Sequence, residues 1–134
     1  MRPVVLLVED AKESARLVFA ALDGLFLELL HVDSIASAKT VLSQCKVSLV
    51  LLDQNLPDGT GVELIHWGNR SGLAQGGRPI PFLVYSSLPA VSGLKQTSPD
   101  FVLAGQLIKP VGAKSIRKRV TEALSSQGAV GTNL

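Results

Sequence analysis

The stretch Leu49–Gly61, LVLLDQNLPDGTG, constrains this chain most. Four aliphatic residues run unbroken into Asp53, and the turn-forming Pro57-Asp58-Gly59 follows. A run that is apolar at every position has no polar face, so as a strand it must be covered on both sides. The turn chemistry beyond it ends the strand near the carboxylate. Strands of this kind belong in parallel sheets packed between helices, where ligand sites gather at the strands' C-terminal ends. Asp53 is thus delivered to that end, although an aspartate before such a turn can also serve the turn alone.

The rest of the chain repeats the pattern. Val4–Val8 is a second run buried on both faces, and it ends at Glu9-Asp10. From Ala11 to Leu22, Ala15, Val18, Phe19 and Leu22 fall on one side and Lys12, Glu13 and Arg16 on the other, which predicts a helix ended by Gly24. Leu27–Val32 is a second strand, and the polar Glu28 and His31 within it suit an edge position. Ser34 can cap a helix with an apolar side of Ile35, Ala38, Val41 and Leu42. The third strand, Val47–Asp53, completes an alternation that demands a parallel sheet with right-handed crossovers.

A third helix carries Val62, Leu64, Ile65 and Trp67 and fades in the segment Gly68–Pro81, with Trp67 as core or half-buried packing. Phe82–Tyr85 is a fourth strand ending at Ser86-Ser87. Pro89, Gly93 and Pro99 make the expected fourth helix short or irregular. The segment Val102–Lys109 contains the fifth strand, placed at Gln106–Ile108 and followed by Lys109-Pro110. A last helix, from about Ala113 to Ser126, packs Ile116, Val120 and Leu124. The expected organisation is one domain over residues 1–126 and a frayed tail over 127–134.

Composition narrows the functional classes. A formal charge of +2 over 134 residues provides no broad basic field for nucleic acid. The basic residues of the last helix, Lys114, Arg117, Lys118 and Arg119, read as a solvated face. The one cysteine, Cys45, excludes an intrachain disulfide and reads as a small apolar residue beside a strand. The N-terminal run lacks the length of a secretion signal, and no run spans a membrane, so a cytoplasmic protein is expected. His31 and His66 read as ordinary surface histidines outside the expected site, and Asp58-Gly59 as turn chemistry.

Four groups then sit at the C-terminal ends of parallel strands: Glu9-Asp10, Asp53, Ser86 and Lys109. Each has a bland alternative as a helix-start charge, a turn residue, a cap or a solvated strand end. Their joint order resembles the receiver domain of two-component response regulators from Pro3 to about Ser126. The resemblance implies a flavodoxin-like, doubly wound (βα)5 fold with strand order 2-1-3-4-5. It implies phosphoryl transfer to Asp53 from a sensor histidine kinase or histidine phosphotransfer protein. It also implies Mg²⁺ or Mn²⁺ held by Glu9, Asp10, Asp53 and the backbone carbonyl of Asn55, with Lys109 and Ser86 on the phosphoryl oxygens. The activity so implied is metal-dependent self-phosphorylation and autodephosphorylation rather than dedicated turnover.

The chain departs from the commonest receiver pattern at three places. Gln106 stands where an aromatic is usual, Ser87 where alanine is usual, and the fourth helix is interrupted by prolines and glycine. The expectation is therefore a regulator that reports its state by another route or carries phosphate in a relay, acting through an unidentified downstream protein and inserting into no membrane. A receiver that stands alone, one cut from a longer regulator, and a pseudo-receiver that never accepts phosphate remain open. A flavin-binding flavodoxin is disfavoured because the first strand ends in acids rather than in backbone donors for a phosphate.

Overall fold

The computed structural model describes residues 2–71, 80–86, 101–108 and 112–126. Five strands form a parallel sheet: β1 (Val4–Val8), β2 (Glu28–Val32), β3 (Leu49–Asp53), β6 (Ile80–Ser86) and β7 (Phe101–Ile108). Their order is β2-β1-β3-β6-β7, the 2-1-3-4-5 arrangement of a doubly wound fold. Among the described residues, the helices are α1 (Lys12–Leu22), α2 (Ile35–Gln44), α3 (Gly61–Ser71) and α4 (Ala113–Ser126). A two-residue-per-strand hairpin, β4 (Asn55–Leu56) with β5 (Gly59–Thr60), stands between β3 and α3.

Strand alternation divides the core in two. Val5, Leu7, Leu49, Leu51 and Leu83 point to one face and pack with Val18 and Leu22 of α1 and Ile116, Val120 and Leu124 of α4. Leu6, Val8, Val50, Leu52 and Val84 point to the other and pack with Ile35, Ala38 and Leu42 of α2 and Leu64 and Ile65 of α3. That is why the runs in β1 and β3 have no polar member before their acids: each successive side chain enters a different apolar layer. Edge strand β2 is only half-buried, which accommodates Glu28 and His31.

Several sequence expectations need correction. Phe19, placed on the apolar stripe of the first helix, is 46% exposed, and Ala21 takes its place in the core. Cys45 is exposed at the C-cap of α2, where its amide donates to the Val41 carbonyl. The last strand spans Phe101–Ile108 rather than Gln106–Ile108 alone, with the register slipping past Ala104 between Leu103 and Gly105. Trp67 is half-buried against the α2/α3 layer, with the Lys39 ammonium 5.6 Å from its ring. The segment from Pro89 to Pro99, Lys109-Pro110 and the tail 127–134 lie outside the described residues.

Two helix ends are completed by residues from elsewhere in the chain. α1 has no basic residue in its last turn, and the Arg117 guanidinium donates to the carbonyls of Ala21 and Asp23 at 3.1 and 2.8 Å. The sequence reading of Arg117 as merely solvated is thereby corrected. Gly24, at φ +84°, lets the chain leave α1 in a left-handed conformation. The other such end, at α2, belongs to the site.

Candidate acid pocket

β1 and β3 are neighbours in the sheet, with Val8 opposite Leu52, so the residues that follow those positions emerge side by side. Carboxylate oxygens of Glu9, Asp10 and Asp53 lie within 4.8 Å of one another. Glu9 is fully buried, Asp53 is 5% exposed and Asp10 opens to solvent. Three like charges this close repel, and oxygen-only donors at this spacing suit a hard divalent cation. The set therefore fits Mg²⁺ or Mn²⁺.

Backbone groups orient the acids. The Ala11 amide donates to Glu9 Oε2 at 3.1 Å, and the Asn55 amide donates to Asp53 Oδ1 at 3.3 Å. The second contact sets the Asn55 amide against the Asp53 carboxylate. The Glu9 amide donates to the Val32 carbonyl, and His31 Nε2 donates to the Glu9 carbonyl at 2.7 Å. His31 was expected outside the site; it instead touches the backbone of the acid pair, with Phe19 edge-on to its ring at 6.1 Å. His66 is exposed on α3.

The loop after Asp53 is tightly bound. Gln54 accepts the Gly61 amide through its carbonyl and the Val62 amide through its side chain. A side chain at Gly61 would put its Cβ 3.0 Å from the Asp53 carbonyl oxygen and 3.0 Å from Leu52 Cγ, so any side chain here crowds the start of α3. Thr60 and Glu63 bond reciprocally across the first turn of α3, a capping box.

Asp58 does more than form a turn. Its carboxylate accepts the Ile35 and Ala36 amides at 2.8 and 3.0 Å, while Ser34 Oγ accepts that of Ser37 at 3.1 Å. Three orphan donors of α2, which has no acid in its own first turn, are thus satisfied. These amide bonds, Ile35 first, hold the Asp58 carboxyl below its ordinary pKa of 3.8, with a smaller contribution from Lys39. Sequence spacing shows no sign of this contact, because loop and helix are joined only through the fold.

Ser86 is the last residue of β6, paired with Ile108, which sets its backbone at the same end of the sheet as Asp53, itself paired with Tyr85. Lys109 follows Ile108 and lies outside the described residues.

This fold recurs in known proteins. A signal receiver domain from Vibrio parahaemolyticus superposes with a TM-score of 0.79 at 23% identity, covering 99% of this chain and 100% of that one. The chemotaxis response regulator CheY4 of Vibrio cholerae gives 0.77 at 18% identity over 92% and 100%. The chain has the fold of a response-regulator receiver domain. A third receiver, a CheY-like response regulator domain protein from Methanospirillum hungatei, gives 0.78 at 17% identity over 98% and 100%. In sequence, the chain is 30% identical over 127 residues to the transcriptional regulatory protein VxrB of Vibrio cholerae, covering 94% of this chain and 48% of that protein. The chain thus spans about half the length of that curated relative. No family model matches. Among the described residues, no helix is long and apolar enough to cross a membrane.

Proposed function

We propose that this chain is a two-component receiver that accepts a phosphoryl group on Asp53. The observation carrying this reading is the meeting of the Glu9, Asp10 and Asp53 carboxylates within 4.8 Å at the ends of neighbouring strands. Glu9, Asp10, one oxygen of Asp53 and the Asn55 carbonyl would hold a divalent cation, which when bound would neutralise charge on the phosphoryl oxygens. One Asp53 oxygen attacks phosphorus, the bond from phosphorus to the donor's histidine nitrogen breaks, and its electron pair leaves with the imidazole. The Asn55 amide on Oδ1 fixes the carboxylate's orientation.

Ser86 and Lys109 are assigned to the phosphoryl oxygens by the resemblance, the lysine as a point charge. Residues 1–126 form the receiver unit. Its partners are a sensor histidine kinase or phosphotransfer protein and a downstream protein met by surface contact, in the cytoplasm, without direct nucleic-acid binding. Incubation with acetyl phosphate and Mg²⁺, followed by intact-mass measurement, tests the reading. A gain of one phosphoryl group, absent in Asp53→Asn, supports it. No gain on folded protein identifies a pseudo-receiver instead.

A further inference from the structure

Both loops that carry the pocket's acids are fastened to one short segment. His31 holds the Glu9 carbonyl, and the amides of Ile35 and Ala36 hold Asp58. Asp58 lies in the turn of the β4–β5 hairpin, whose first residue, Asn55, donates to Asp53. The hairpin has only two paired positions, Asn55 with Thr60 and Leu56 with Gly59, too few to hold its place alone. The Thr60–Glu63 capping box secures its far end to α3. On the α2 side, Asp58 makes the hydrogen bonds that hold it.

We propose that Asp58 is a positioning residue for the chemistry at Asp53, anchoring the hairpin to the N-terminus of α2 so that the Asn55 backbone stays against the Asp53 carboxylate. The inference rests on the reading of Asp53 as phosphoacceptor with a cation beside it. Linkage makes the coupling reciprocal: what orders Asn55 and Asp53 also tightens the bonds from Ile35 and Ala36. The N-terminus of α2 thereby becomes a place where the state of the pocket is felt.

Mg²⁺ affinity is measured by calorimetry on wild type, Asp58→Ala, Asp58→Asn and Ser34→Ala, with thermal melts alongside. Ser34→Ala removes a cap from the same helix end without touching the hairpin. The expected result is an affinity about tenfold weaker in Asp58→Ala, largely restored in Asp58→Asn and unchanged in Ser34→Ala, although both alanine variants melt lower. Equal loss of affinity in Ser34→Ala and Asp58→Ala, or none in either, overturns the proposal and leaves Asp58 a cap alone. If Asp58→Ala does not fold, the comparison is made on amide exchange in wild type. Mg²⁺ should then slow exchange at Ile35 and Ala36, and unchanged rates overturn the anchor. A wild type that binds no Mg²⁺ overturns the phosphoacceptor reading and the anchor with it, whereas binding that is indifferent to Asp58 sinks only the anchor.

Discussion

His31 Nε2 lies 2.7 Å from the carbonyl oxygen of Glu9, so a side chain from edge strand β2 fixes the backbone that carries the buried acid of the pocket. His31→Leu keeps a side chain against Phe19 but removes the donor. It should cost about 0.5–1.5 kcal/mol in urea unfolding and weaken Mg²⁺ binding. An unchanged unfolding midpoint would show that the bond contributes nothing.

The crowding of Glu9, Asp10 and Asp53 predicts opposite effects of charge removal with and without cation. Asp10→Asn relieves repulsion and should melt higher than wild type in EDTA. Wild type should gain about 2.7 kcal/mol when Mg²⁺ reaches 100 times its dissociation constant, and the variant should gain little. Calorimetric melts across a Mg²⁺ series read both.

Gly61→Ala places a methyl group 3.0 Å from the Asp53 carbonyl oxygen and 2.9 Å from Gln54 Oε1. Backbone cannot yield as a flexible side chain does, so a loss of about 1–3 kcal/mol is expected. Acetyl phosphate labelling of Asp53 should slow as well, since the displaced atom belongs to the nucleophile's own residue.

Asp58 also predicts a pH dependence. Its carboxyl is held below 3.8 in the folded protein, so the unfolded chain binds the proton more readily. The stability it contributes is therefore complete above 3.8 and is lost as pH falls from there through the lower folded value. The melting-temperature gap between wild type and Asp58→Ala should be widest near neutrality and close progressively below 3.8. A gap of constant width would assign the effect to packing.

Arg117→Met keeps the aliphatic stem and removes the donors to the Ala21 and Asp23 carbonyls. At this exposed helix end the loss should be about 1 kcal/mol, and Arg117→Lys should recover part of it, since an ammonium can still meet the carbonyls as a point charge.

The parallel sheet, its two apolar layers and the acids at the ends of β1 and β3 were legible in the sequence, because each follows from local rules. An unbroken aliphatic run needs cover on both faces, period 3.6 marks the helices, and Pro-Asp-Gly stops the strand. Phe19 shows where such rules fail: an apolar residue at helical spacing is 46% exposed with its ring edge-on to His31 of the edge strand, while Ala21 enters the core. Only the tertiary structure decided that Asp58 would cap α2 across 23 residues of chain and Arg117 would cap α1 across 96, or that His31 would reach Glu9. A side-chain contact between segments far apart in sequence depends on strand order and on angstrom-scale placement, and neither leaves a periodicity to be read.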